Sequence, residues 1–500
     1  MSGSLLDAIA VVMQPLLLLE MLGGVILGIM FGIIPGLTAT LAVVLLIPLT
    51  YGMDAISGVA ILVGVYIGGI SGGLVSAILL GMPGTPSSIA TVFDGFPMAK
   101  QGRGAKALSM GIFGNLFGTL VSWLFLITLA SQLAHLALKF GPFEYVAVIV
   151  FGFTTVISLS GDSIPKGVVS CLFGLVVCTI GSDPVIGVTR NTLGLELLES
   201  GINAVPAMIG LFVVAEVFRN IASESATIVE DDLKVADKGG ITWADVKASG
   251  WNLVRSSLIG VAIGMLPGIG GSLANIVAYD QAKKGAKDPE TYGTGNVQGV
   301  IAPEAANNAT IGSALIPMLA LGIPGDVVTA ALVGGLMLHG LQPGPLLFVD
   351  NPDFVYGIYV AFLIGALMMF GVMYLASNSL LPKLLLVPKK YLLPVVLVAC
   401  SVGCYNLNFS FTDMWMSLVF GFIGFGMATL RFPITPVVIS MVLGTTLENQ
   451  LRLALVSSEG SPIPLFTQPI SLLFLVLAVL SVALALRKKK LLAQGSEENG

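Results

Sequence analysis

The chain has 500 residues, of which 55% are hydrophobic and only 10% are charged, and its mean hydropathy is +0.96. These values exclude a water-soluble globular protein and indicate a bundle of helices in a lipid bilayer. The formal net charge of -5 comes from scattered residues, and no basic stripe of the kind that binds nucleic acid is present.

Apolar segments that reach, or nearly reach, the length needed to cross ~30 Å of hydrocarbon recur along the chain. They cover residues 16–34, 107–129, 146–157, 355–375 and 470–486. The sequence therefore predicts an all-α polytopic membrane protein of about 10–14 transmembrane helices and half-helices. The start of the chain lacks a basic region before its apolar stretch, so we expect no cleaved signal peptide.

Two halves of the chain share repeated motifs. Residues 28–36 read GIMFGIIPG and residues 260–268 read GVAIGMLPG, and GMPG at 81–84 is followed in the second half by GIPG at 322–325. Two matches in the same order predict a duplication. The predicted domains are an N-terminal membrane repeat at 1–220, a polar linker at 221–249, a C-terminal membrane repeat at 250–490 and a disordered tail at 491–500.

Loop charges predict that the two repeats have opposite topology. Loop 94–106 carries three basic residues and its counterpart 339–353 carries no Lys or Arg, whereas loop 279–295 carries three lysines and its counterpart 49–58 has no basic residue. Basic loops face the cytoplasm, so equivalent loops lie on opposite sides of the membrane. The basic run at 487–490 predicts a cytoplasmic C-terminus.

Each motif places Pro-Gly inside apolar sequence, where proline removes a backbone donor and glycine permits left-handed geometry. A helix broken there must face protein, a water-filled cavity or a ligand. We therefore expect re-entrant hairpins around a central site, although a simple kink would explain any single break. The Pro-Gly pairs are Pro35-Gly36, Pro83-Gly84, Pro267-Gly268 and Pro324-Gly325.

The segment after Gly84 reads Thr85, Pro86, Ser87, Ser88, which is typical of a capped helix start. Free amides and hydroxyls at such a start suit a carboxylate, although ordinary capping without a ligand would also explain them. The predicted substrate site comprises Pro35, Gly36, Thr38, Gly84, Thr85, Ser87, Ser88, Gly268, Ser272, Asn275 and Asn307.

The equivalent break in the second half is followed by Asp326. A carboxylate there would repel an anion but could bind Na⁺ or a proton, or it could merely cap its helix. Upstream, the segment PEAANNATIGS offers amide oxygens suited to Na⁺, although interhelical hydrogen bonding would also explain them. The predicted coupling-ion site comprises Asn308, Thr310, Gly325 and Asp326.

No motif predicts an enzyme or a bound cofactor. His135 and His339 are far apart, and neither a metal-ligand spacing nor a phosphate-binding loop is present. The four cysteines lie in apolar stretches and are interpreted as packing residues. A weaker third repeat pairs residues 216–219 with 448–452, where a helix-end ion pair explains the pattern as well as function does.

The segments GIIPGLTATLAVVLLIPLTYGM, GMPGTPSSIATVFDGFPMAKQGRGAKAL, GMLPGIGGSLANIVAYDQAKK and IAPEAANNATIGSALIPMLALGIPGD resemble the large membrane subunit of the tripartite tricarboxylate transporter family. The resemblance covers almost the whole chain. It implies a bacterial inner-membrane secondary transporter for small carboxylates that works with a small membrane subunit and a periplasmic solute-binding protein, driven by a Na⁺ or proton gradient. A stand-alone carrier of organic anions is the alternative; an intramembrane enzyme or a channel is less well supported.

Overall fold

A computed structural model describes residues 5–159, 163–183, 185–222, 239–268, 270–377, 379–387 and 389–497. The first half contains helices α1 Leu5–Val12, α2 Pro15–Ile33, α3 Ala39–Leu46, α4 Ala55–Leu80, α5 Thr91–Lys100, α6 Gly104–Ala137, α7 Pro142–Leu159, α8 Ile164–Val177, α9 Ala204–Met208 and α10 Ala215–Ala222. A π-helical segment, Ile209–Val214, joins α9 to α10. Two short antiparallel strands, β1 Gly181–Ser182 and β2 Thr189–Arg190, precede α9.

The second half is also helical. It contains α11 Trp243–Gly264, α12 Gly270–Lys284, α13 Gln298–Leu321, α14 Val327–Leu338, α15 Pro345–Asp350, α16 Pro352–Ala376, α17 Leu381–Leu384, α18 Lys389–Asn408, α19 Phe411–Thr429, α20 Thr435–Ser457, α21 Pro464–Thr467 and α22 Pro469–Glu497. Short 3₁₀ turns lie at Ile47–Thr50, Pro86–Ser88, Glu196–Leu198 and Pro289–Thr291.

The length and hydropathy of these helices confirm the predicted fold class. Within the described ranges, eight helices are long and apolar enough to cross a membrane, and four shorter helices are also apolar. Their burial differs sharply, because the apolar window of α4 is 100% buried and that of α22 only 11%. Helix α4 is therefore a central helix, whereas α22 lies at the perimeter with most of its apolar surface exposed.

Close backbone contacts at glycines are repeated in the two halves. A Cβ atom at Gly28 would meet the carbonyl of Val65, and one at Gly260 would meet the carbonyl of Ala306. Likewise, Gly84 packs on the carbonyl of Gly32, and their equivalents Gly325 and Gly264 repeat the contact. Glycine is needed because the helix backbones approach closely at these crossings. The contacts recur at positions that the predicted duplication relates to each other.

Contacts between the halves show that the repeats are inverted. The two basic loops meet at one end of the bundle, where the Gln101 side chain donates to the carbonyl of Thr294 (2.7 Å). The two loops without Lys or Arg contact each other at another place, with Thr50 Oγ1 and His339 Nε2 3.1 Å apart. Helix α4 begins beside Thr50, whereas its equivalent α13 begins beside Thr294. The two central helices therefore run antiparallel.

A buried carboxylate holds the two basic loops together. Asp94 on α5 is fully buried, and its Oδ1 accepts hydrogen bonds from the backbone N–H groups of Gly293, Gly295 and Asn296 at 2.7–2.9 Å. Its Oδ2 accepts the Tyr279 hydroxyl at 2.9 Å. These bonds satisfy the carboxylate without a cation, as its burial requires, and they fix a second-half loop to a first-half helix.

The predicted ends of the linker and the predicted start of the tail fall within helices of the structure. Residues 223–238 of the predicted linker lie outside the described residues, and α10 and α11 extend into the ends of the linker at Ala222 and Trp243. Helix α22 ends at Glu497 and so extends into the predicted disordered tail at 491–500. Leu, Ala and Gln at 491–494 are good helix formers and continue the preceding helix. The other domain boundaries stay predictions.

We expect cysteine labelling from the two sides of the membrane to report the inverted arrangement of the repeats. In a variant with its four cysteines replaced, Lys287→Cys in a basic loop and Tyr51→Cys in a non-basic loop should react with an impermeant thiol reagent from opposite sides. Both residues are exposed. Lys100→Cys, in the other basic loop, should match Lys287→Cys. Labelling of positions 51 and 287 from the same side would contradict the inverted arrangement.

Candidate functional site

The first pair of Pro-Gly motifs breaks its helices as predicted. Helix α2 ends at Ile33 and α3 begins at Ala39, with Thr38 Oγ1 accepting the backbone N–H of Leu41 (3.2 Å). In the second half α11 ends and α12 begins around Gly268. Both Gly36 (φ +89°) and Gly268 (φ +79°) adopt left-handed backbone, which L side chains rarely tolerate.

The second pair of motifs also breaks its helices, but the segment after the first of these breaks does not begin the α-helix that the sequence predicted. Thr85 is followed by a three-residue 3₁₀ turn, Pro86–Ser88, and α5 begins only at Thr91. The dipole field of a long helix start is therefore absent at Thr85, and its hydroxyl neighbours become the available donors. Asp326 caps α14 directly, and its Oδ1 accepts the Thr329 N–H (2.7 Å) and hydroxyl (2.8 Å).

A cavity of about 360 Å³ lies between these breaks and draws its walls from both halves. Its polar lining includes hydroxyls from α3, the Thr85 turn and α12, the carboxylate of Asp326 at the start of α14, and the side chains of Glu216 and Arg219 on α10. The predicted site residues that line it are Gly36, Thr38, Thr85, Ser87, Gly268, Ser272 and Asp326. Residues more than 180 positions apart, such as Ser87 and Ser272, thus share one chamber, as the duplicated motifs predicted.

The remaining predicted residues do not line this cavity. They are Pro35, Gly84, Ser88, Asn275, Asn307, Asn308, Thr310 and Gly325. Several have contacts that explain them structurally: Ser88 donates to the carbonyl of Thr85 (2.9 Å), and Asn275 Oδ1 accepts the Ala90 N–H (2.7 Å). Gly84 and Gly325 are close-packing positions in the helix crossings. These residues support the cavity walls.

Asp326 has a partner that sequence reasoning missed. The hydroxyl of Tyr66, on α4, donates to Asp326 Oδ2 at 2.6 Å. Tyr66 is completely buried, and the bond joins a first-half helix to the cavity wall of the second half. A tyrosine within a glycine-rich apolar helix was the available signal, since a buried tyrosine hydroxyl usually finds a partner.

The two adjacent asparagines of α13 have different surroundings. Asn308 belongs to a closed network, in which Ser71 donates to its Oδ1 and its Nδ2 donates to Asn115 Oδ1, both at 2.6 Å. Asn307 is fully buried, and neither polar atom of its side chain has a hydrogen-bond partner among the described residues. Its Oδ1 lies against Gly271, which lines the cavity. An unpaired amide therefore lies directly behind the cavity wall.

Glu304 lies one turn before Asn307 and is also fully buried. Its Oε1 accepts the hydroxyl of Thr91, and its Oε2 has no partner among the described residues. Thr91 and Asn115, which form this polar layer, carry no recognisable motif, so the sequence did not reveal them. Across the described ranges, no group of three or more His, Cys, Asp or Glu residues could hold a metal ion.

The Tyr66–Asp326 bond should contribute measurably to stability. We expect Tyr66→Phe to lower the free energy of unfolding by roughly 1–3 kcal/mol, because a buried hydrogen bond to a carboxylate is lost. Tyr359→Phe is the matched control, since the buried Tyr359 hydroxyl has no hydrogen-bond partner among the described residues and its removal should cost little. Thermal unfolding in detergent measures both, and equal shifts would contradict the assigned bond.

Comparison with known proteins agrees with this geometry. The family model for the tripartite tricarboxylate transporter TctA family matches residues 18–439. An uncharacterised 52.8 kDa protein from the TAR-I ttuC′ 3′ region of Agrobacterium vitis is 35% identical over 463 residues, 93% of this chain and 92% of that protein. A second uncharacterised protein, from the TAR-II ttuC′ 3′ region of the same organism, is 35% identical over 227 residues, 45% of this chain and 93% of that protein. No solved structure matches the chain. The chain is therefore a multi-pass membrane protein that belongs to the tripartite tricarboxylate transporter TctA family.

Proposed function

We propose that this chain is the solute-translocating subunit of a secondary transporter that imports a small carboxylate across the bacterial inner membrane, with its C-terminus in the cytoplasm. A periplasmic solute-binding protein delivers the substrate, a small membrane subunit completes the complex, and a Na⁺ or proton gradient supplies the driving force. The observation that carries the proposal is the cavity between the broken helices of both halves, whose lining includes hydroxyl and charged side chains.

The cavity lining suits a carboxylate that must be both bound and released. Thr38, Thr85, Ser87 and Ser272 offer hydroxyl donors, which bind carboxylate oxygens without the strong retention of a fully buried ion pair. Asn307, behind the wall, has an unsatisfied amide that gains a partner if the Gly271 segment moves. Burial of a polar group without a hydrogen bond is costly, so a ligand that reaches this amide relieves that cost.

Asp326 is the proposed coupling-ion residue. It lines the cavity and holds hydrogen bonds to Tyr66 and Thr329, so a cation that binds its carboxylate must compete with the interhalf bond. Ion binding and the contact between the halves are thereby linked. Because the halves are inverted, rocking one against the other would expose the same cavity to either side of the membrane in turn.

A stand-alone carrier of organic anions would use the same cavity without a receptor. Counterflow in proteoliposomes, with and without the periplasmic binding protein, separates the two possibilities. Receptor-dependent, saturable counterflow supports the proposed importer, and saturable flux without a receptor supports the stand-alone carrier. A channel would give flux that does not saturate. The substrate itself is found by testing a panel of labelled carboxylates in cells that lack or express this chain.

Removing cavity hydroxyls should weaken substrate binding. We expect Thr85→Val and Ser87→Ala each to raise the KM for carboxylate uptake by roughly ten- to hundredfold, because loss of one hydrogen bond to a charged group costs roughly 1.5–3 kcal/mol. Thr128→Val is the matched control, since the Thr128 hydroxyl bonds only its own helix backbone on an exposed face. Unchanged kinetics in both cavity variants would remove these residues from the site.

Neutralising Asp326 should change the dependence of uptake on the driving ion. We expect Asp326→Asn to flatten the Na⁺ or proton activation curve, since an amide keeps the size and the cap but loses the charge. Asp54→Asn serves as control because Asp54 also caps a helix, α4, but does not line the cavity. Identical ion-activation curves for the wild type and Asp326→Asn would refute the coupling role.

A further inference from the structure

Arg219 is the one cationic side chain among the described residues that line the cavity. It lies on α10 and forms an ion pair with Glu216, one helical turn earlier, at 2.9 Å. The side chain of Arg219 is 58% exposed, whereas that of Glu216 is 15% exposed. The guanidinium therefore keeps donors available to a solute in the cavity.

In the second half the equivalent pair, Glu448 and Arg452, belongs to a larger ion network. Arg452 donates to both carboxylate oxygens of Asp183 (2.9 and 2.6 Å) and to Glu448 (2.5 Å). Arg190 adds a bidentate pair to Glu448 (2.5 and 2.6 Å) and a bond to Asp183 (2.9 Å). Hydrogen bonding from Arg452 holds the pKa of Asp183 well below its usual range. Two carboxylates thus balance two guanidiniums.

This asymmetry has a structural origin. Asp183 and Arg190 belong to the long α8–α9 connection that carries β1 and β2, whereas the equivalent connection between α19 and α20 spans only residues 430–434. The second-half chain is too short there to supply an equivalent network to Arg219. Glu216 is consequently the carboxylate that the structure pairs with Arg219, and a guanidinium presents enough N–H donors for a second carboxylate.

We propose that Arg219 is a specificity-determining residue that binds a carboxylate group of the transported solute, and that Glu216 competes with the solute for the guanidinium. This inference rests on the proposed function as a carboxylate transporter. Competition by Glu216 promotes release of the solute, because a guanidinium with no internal partner would bind an anion in the cavity more tightly. The pair then acts as an exchangeable ligand site, in contrast to the closed network around Arg452.

The test measures binding of citrate, succinate and benzoate to the full-length purified chain by isothermal titration calorimetry. For each acid that binds the wild type, Arg219→Gln should weaken binding at least tenfold, and Arg219→Lys should restore part of the loss. Glu216→Gln should tighten binding. The matched control is Lys284→Gln, because Lys284 also forms an exposed ion pair within one helix but does not line the cavity.

Opposite effects of the Arg219 and Glu216 variants distinguish ligand competition from a structural role, since loss of a structural ion pair would affect both in the same direction. The salt dependence of binding should also decrease in Arg219→Gln. Wild-type affinity in Arg219→Gln, or equal losses in Arg219→Gln and Lys284→Gln, would overturn the proposal. If the wild type binds none of the three acids and gives no carboxylate counterflow, the proposed function itself fails.

Discussion

The fold depends on a constraint that hydrocarbon imposes on every interrupted helix: the freed backbone groups must find partners inside the protein. Three of the four breaks, those at Gly84, Gly268 and Gly325, meet it by close backbone contact. The N–H of Gly84 donates to the carbonyl of Gly73 (3.4 Å), and the N–H of Gly268 donates to the carbonyl of Gly325 (2.8 Å). Because such contacts require glycine at the crossing points, they hold the broken helices of each half together, and the cavity is lined by residues of both halves.

The two halves share a framework but differ in the polar groups they carry. The spacing that relates Gly84 to Gly325 also relates Thr85 to Asp326 and Tyr66 to Asn307. Tyr66 bonds Asp326 across the halves, whereas the side chain of Asn307 has no partner among the described residues. The side chain at one of these two related positions therefore has a partner in the other half, whereas the buried side chain at the other position has unused hydrogen-bonding groups. The shared framework forms the cavity, and polar residues that differ between the halves are those for which we propose separate ion and substrate roles.

Sequence reasoning could predict what backbone chemistry dictates. Pro-Gly pairs within apolar segments predicted where the helices break, and the loop charges predicted that the two repeats are inverted. Both predictions depend only on residue type and position. The 3₁₀ turn after Thr85 and the helical end of α22 were not predicted, since competing local conformations differ by little free energy. The Tyr66–Asp326 bond and the layer of Thr91 and Asn115 join residues far apart in sequence. Such contacts depend on helix rotation and packing, which no local motif records.

The central claim is that hairpins from the two halves face one substrate chamber. It is tested most directly by placing cysteine at Ser87 or at Ser272 in a cysteine-free chain and measuring the rate of reaction with a small thiol reagent in the presence of carboxylates. The account predicts that both positions react and that the same carboxylate protects both. Protection of one position without the other, or reaction rates that no transported carboxylate changes, would contradict a shared chamber.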